Sequence, residues 1–265
     1  MSDNTIDEKP TNIEEERKDL VIILGRTLSD NAAEIYNDFL KEIKEPVEFE
    51  WTDEDNSSVL AYKQNKHCIS ITKDTCRFEY SVLHECCHIM QLKEGYPCMT
   101  IKSNADMRVK KIINEIQNAV LDFDVKNRLK NKGFPVPSSN YKFNKYYPML
   151  NKSNNQSQKL FDEYLCKHLT VEIVAVRLFD SEWHFEKLLS CLDKTHPEIR
   201  KYAYSMLKCI ENYSSGINKD NCSSLYLELI GALKFSNIEV CMEYVTGSFH
   251  QEPSESLIGT QPEEK

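Results

Sequence analysis

The chain is poor in the residues that interrupt regular structure, with 7 glycines and 9 prolines in 265 positions. An all-β protein needs frequent tight turns, and this composition excludes that class. Positive charge is also in short supply: 33 basic residues stand against 42 acidic ones, a net charge of −9. A phosphate-binding surface needs concentrated positive charge, so direct nucleic-acid binding is not expected. The one basic group, Lys126, Arg128, Lys130 and Lys132, reads as a solvated helix end. No apolar run approaches the ~20 residues of a membrane span, so no membrane partner is expected. None of the ten cysteines forms a C-x-x-C pair, which removes zinc-ribbon and dithiol redox readings. The opening MSDNTIDEKP is polar and acidic, unlike a secretory signal. Free thiols in a reducing cytoplasm fit these features.

What remains is 40% hydrophobic residues in long periodic runs, which predicts an α+β chain dominated by helix. Residues 1–12 read as disordered. Ile13 to about Ile43 has helical periodicity, broken near Gly25. Val47–Trp51, Val59–Tyr62 and His67–Thr72 alternate as strands and predict a small three-stranded antiparallel sheet. Helices are expected from Arg77 to about Leu92 and from Ala105 to about Asn131. Residues 134–158, with three prolines and several tyrosines, read as a long loop or lid. A helical C-terminal part follows to about residue 249, marked by a Thr195–Glu198 capping box, and 250–265 reads as a disordered acidic tail. The expected units are thus 13–133 and 159–249.

The chemistry lies in His84-Glu85-Cys86-Cys87-His88, the pattern H-E-x-x-H. Four helical residues advance about 400 degrees, so both imidazoles leave one face a turn apart and can share one zinc ion. Glu85 lies beside that face, placed to take a proton from an activated water without binding the metal. Leu83, Cys86, Cys87 and Met90 fall on the opposite side, as a buried helix requires. Thiol packing rather than reactivity is expected of Cys86 and Cys87.

A catalytic zinc usually takes three protein ligands and leaves a position for water. Glu115 is the expected third ligand, on the following helix with Asn118 and Asp122 along the same face. Asn118 and Asp122 would then hydrogen-bond the free N–H of a ligand histidine. Asp122, two turns further along, is the first rival for the ligand role, with His168 and Asp124 behind it.

On these residues the chain resembles the gluzincins, metallopeptidases with two histidines and a glutamate, and within them the ImmA/IrrE-like peptidases. The resemblance covers roughly residues 45–130. It implies a zincin-like domain over 13–133, one zinc ion, and hydrolysis of a peptide bond in a protein substrate, often a regulatory protein. An oxyanion donor is expected among Tyr141, Tyr146, Tyr147, Tyr164, His168 and His184. In such folds the strand His67–Thr72 serves as the edge that pairs with extended substrate. The C-terminal helices would recognise a substrate or a regulatory protein partner. The competing expectation is a zinc-stabilised interaction module without turnover.

Overall fold

The computed structural model describes residues 20–53, 59–63, 65–73, 77–101, 106–136, 141–153, 162–213, 216–235 and 240–244. The segments 1–12 and 250–265, expected to be disordered, lie outside the described residues.

The chain enters through a small hairpin, β1 (Ile22–Ile23) and β2 (Arg26–Thr27), instead of the helix expected there. Leu24 and Gly25 both adopt positive φ, 52° and 77°. Two successive left-handed residues return the chain on itself as in a primed hairpin turn, which a helix cannot accommodate. Helix α1 (Asp30–Ile43) begins only afterwards, and buries Ala32, Ile35, Tyr36, Phe39 and Ile43 at helical spacing.

Strands β3 (Val47–Thr52), β4 (Val59–Lys63) and β5 (Lys66–Thr72) form a three-stranded sheet in the order β3-β5-β4. The expected antiparallel arrangement holds only for β4 and β5. β3 lies on the other side of β5 and runs parallel to it, pairing Val47 with His67 through Thr52 with Thr72. The sheet is therefore mixed. β5, expected at the edge, is the central strand, with Ile69 and Ile71 fully buried. Its backbone groups are engaged on both sides, so it offers no edge to a substrate.

Helix α2 (Phe78–Glu94) carries the H-E-x-x-H pattern and stops where Gly95 takes φ 82°. Strand β6 (Pro97–Ile101) follows and pairs antiparallel with β7 (Val240–Tyr244), a strand in a stretch expected to be helical. Helix α3 (Met107–Asn131) spans 25 residues. At its start the Asp106 carboxylate accepts the Arg108 backbone N–H at 2.8 Å.

The C-terminal part contains α4 (Tyr141–Ser153), α5 (Glu163–Phe179), α6 (Glu182–Leu192), α7 (Pro197–Glu211) and α8 (Lys219–Ala232). α4 occupies the middle of the stretch read as a loop or lid. Phe143, Tyr146 and Leu150 sink into the helical core, so this segment is part of the packing. The Thr195–Glu198 box does not form. Proline is favoured at the first helical position, so α7 starts at Pro197 with His196 as its cap. The Thr195 hydroxyl donates instead to the Leu192 carbonyl at 3.3 Å.

The buried apolar residues form two clusters that meet along α3. Val109, Ile112, Ile113, Ile116 and Val120 pack into the first, with α4 to α8. Val125 and Leu129 pack into the second, with α1, α2 and β5. The clusters thus part within α3 and not at its end near residue 133. Because one helix serves both, Ile113→Ala and Leu129→Ala are each expected to lower stability by about 2–5 kcal/mol. Chemical denaturation should show both shifting the same unfolding transition; independent transitions would show that α3 does not couple the clusters. No helix among the described residues is long and apolar enough to cross a membrane. Cys68, Cys86, Cys87, Cys98, Cys166, Cys191, Cys209 and Cys222 are free thiols.

Candidate metal centre

The active-site candidate sits where α2 crosses α3. α2 is buried on most sides, including Leu83, Cys86 and Cys87 at 0% exposure. Burial raises both thiols, that of Cys87 to about 12, so they stay protonated and act as packing groups. The helix turns His84 and His88 onto one face with their Nε2 atoms 3.0 Å apart. Asp122 of α3 closes the group, its Oδ1 3.4 Å from His84 Nε2 and 3.3 Å from His88 Nε2.

These three separations suit a bound metal. A tetrahedral ion with ~2.0–2.1 Å bonds holds its ligand atoms about 3.3 Å apart, the edge of the tetrahedron. The cluster stands near that spacing on all three edges. Two imidazole nitrogens at 3.0 Å cannot both direct lone pairs at each other without a proton or cation between them. Burial alone would lower the His88 imidazolium, but Asp122 and Glu85 outweigh it and raise the group to about 9. Burial would raise the Asp122 carboxyl, whereas the two histidines hold it well below the usual carboxylate range. The site favours positive charge.

The other ring nitrogens are committed elsewhere, which fixes the rings. His88 Nδ1 lies 2.8 Å from Gln91 Oε1, and His84 Nδ1 lies 3.2 Å from the Tyr80 hydroxyl. Gln91, 2% exposed, donates its amide to the Leu121 carbonyl at 3.0 Å and to Asp124 at 2.8 Å. Its carbonyl oxygen must therefore face His88, accept Nδ1–H and leave the Nε2 lone pair for a metal. Asp124 is held in turn by Arg128 at 2.6 Å and by Tyr96 at 3.1 Å. Arg128 also forms a double contact with Glu94, both at 2.6 Å, so this arginine belongs to the site's support and is no solvated helix end. Gln91→Leu is expected to weaken metal binding about 10- to 100-fold, through the freed His88 ring and the loosened register of α3 on α2. Competition with a chromogenic chelator measures this; unchanged affinity would remove Gln91 from the site.

Glu115, expected as the third ligand, does not join this cluster. The Gln91 bonds to Leu121 and Asp124 set the register of α3 on α2, and that register brings Asp122 opposite the histidines. Glu115 lies seven residues earlier, about 10.5 Å along the helix, and its Oε2 meets His168 Nδ1 at 2.6 Å. Asn118 is exposed, and the imidazole Nδ1 atoms it was expected to serve face Tyr80 and Gln91. Glu85 is buried at 6% exposure beside the cluster. The expected oxyanion donors are engaged elsewhere or exposed. Tyr164 lies under Arg108, His184 pairs with Asp180, Tyr147 stacks on Phe143, and Tyr141 is 52% exposed.

Sequence reasoning passed over Tyr80 and Gln91. A signal was present: Tyr80, His84, His88 and Gln91 follow at spacings of four, four and three, a single stripe along α2.

A scan against protein-family models, a search of curated proteins and a search of solved structures each returned no match for this chain.

Proposed function

We propose that this chain is a zinc metallopeptidase in which His84, His88 and Asp122 hold the ion and Glu85 is the general base. The observation that carries the reading is the convergence of three ligand atoms at 3.0, 3.3 and 3.4 Å, with both outer ring nitrogens already hydrogen-bonded. The donor set, two imidazoles and a carboxylate, is one that catalytic zinc uses with a position left for water. Zinc bound there would supply Lewis-acid activation of a water and of the scissile carbonyl.

Glu85 accepts the proton of the attacking water and passes it to the departing amine nitrogen. Its neighbour His84 is a ligand, so one residue of helix holds the base beside the reaction centre. Tyr80 and Gln91 keep the two rings from rotating, and Asp124 with Arg128 keeps Gln91 from turning over. The likeness to the ImmA/IrrE-like peptidases is carried by His84, Glu85 and His88. Its departure is an aspartate in the place of the gluzincin glutamate. The substrate in this reading is a protein or peptide met in the cytoplasm.

Zinc content of the purified full chain, by atomic emission after dialysis, tests the metal. The expected result is that His84→Ala loses the ion held at this cluster. An undiminished zinc content in that variant would overturn the reading.

A further inference from the structure

We propose that the chain carries a second divalent-cation site, built from Glu115, His168 and Glu172, separate from the cluster around His84 and His88. One ligand atom from each of the three residues lies within 4.8 Å of the others. The construction repeats that of the first site. His168 and Glu172 stand four residues apart on α5 and so project from one face, as His84 and His88 do on α2. A carboxylate from α3 closes each group, Asp122 in one and Glu115 two turns earlier in the other.

The surroundings suit a cation. Glu172 has a side chain only 8% exposed, and Glu115 and His168 are each 20% exposed. Two carboxylates brought this close in a part-buried place need positive charge between or beside them. Lys142 of α4 already brings a positive charge to the group, its Nζ meeting Glu172 Oε2 at 2.6 Å. That lysine is 37% exposed and can swing to solvent, leaving the carboxylate to an incoming ion. Tyr146, 6% exposed, faces the same group with its hydroxyl near Glu172. Histidine with two carboxylates is a harder set than that of the first site, suited to Zn2+ or Mn2+. The 2.6 Å contact of His168 with Glu115 is a hydrogen bond, so binding replaces the proton between them by the metal.

The test is metal stoichiometry of the full chain by equilibrium dialysis against Zn2+ alone. The wild type is expected to hold two ions, His84→Ala/His88→Ala one, and that variant with His168→Ala none. Lys142→Met removes the competing ammonium and should tighten the remaining site about tenfold, since a charge-assisted contact is worth about a tenfold change. Where His168→Ala lowers helical circular dichroism, the near-isosteric Glu115→Gln serves in its place. One ion in the wild type and none in the His84→Ala/His88→Ala variant would overturn the second site and leave the first intact. One ion that survives that double substitution and is lost on His168→Ala would uphold the second site and remove the first.

Discussion

Glu85→Gln is expected to retain the zinc held at His84 and His88, retain the fold, and hydrolyse peptides about 10^2- to 10^4-fold more slowly. Glutamine has nearly the size and shape of glutamate, so the buried position beside the cluster stays filled. What it lacks is basicity: an amide oxygen does not take a proton from water near neutral pH. In the proposed site the ligand atoms come from His84, His88 and Asp122, a group that could hold a metal without residue 85. Turnover of a quenched-fluorescence peptide library, together with zinc content, separates the two properties. A variant as active as the wild type would show that Glu85 is no general base. Loss of zinc together with activity would show that residue 85 helps to hold the ion. If neither protein cleaves any peptide while both hold zinc, the chain is better understood as a metal-stabilised interaction module.

The second large effect divides two carboxylates of one helix. Asp122→Ala is expected to weaken the ion at His84 and His88 by about 10^2- to 10^3-fold. Structural zinc sites bind with ~10–16 kcal/mol in total, or roughly 2.5–4 kcal/mol for each of four ligands. Glu115→Ala is expected to leave that same ion in place, because its carboxylate faces His168. Cobalt substitution in a His168→Ala background gives the clearest readout, since there the Co2+ absorption comes from the histidine pair alone and changes when one of its ligands is removed. The converse result, with Glu115→Ala perturbing that spectrum and Asp122→Ala silent, would restore the glutamate of the gluzincin pattern and require a different register of α3 on α2.

That register is the point at which sequence reasoning reached its limit. Face and spacing on α3 were legible, since Glu115, Asn118 and Asp122 lie on one side of a helix with its apolar stripe opposite. Which turn of that face meets His84 and His88 depends on where α3 slides along α2. The buried amide of Gln91, bonded to Leu121 and Asp124, is what sets it. The mixed sheet has a similar origin. The alternation of β3 and β5 was visible, but alternation is the same for parallel and antiparallel partners. The side of β5 on which β3 lies is a matter of how the chain is threaded.

α4 was missed because the prolines and polar residues around it weigh toward loop, although Phe143, Tyr146 and Leu150 had helical spacing. Its formation rests on burial against α5 and α6, a tertiary term that local propensity does not contain. The hairpin at Leu24–Gly25 is the opposite case: the apolar run around it predicts helix, and two left-handed residues turn the chain there.

By itself the sequence determined that the protein is mainly helical and that α2 places two imidazoles and an adjoining carboxylate on one turn. These follow from periodicity, which acts within a few residues. The tertiary structure alone decided that Asp122 approaches those imidazoles, that Leu121 and Asp124 of α3 hold the Gln91 amide, and that Glu115 is given to His168. Each of these depends on the relative placement of separate helices, which is fixed by interlocking side chains distant in the chain and not by any local pattern.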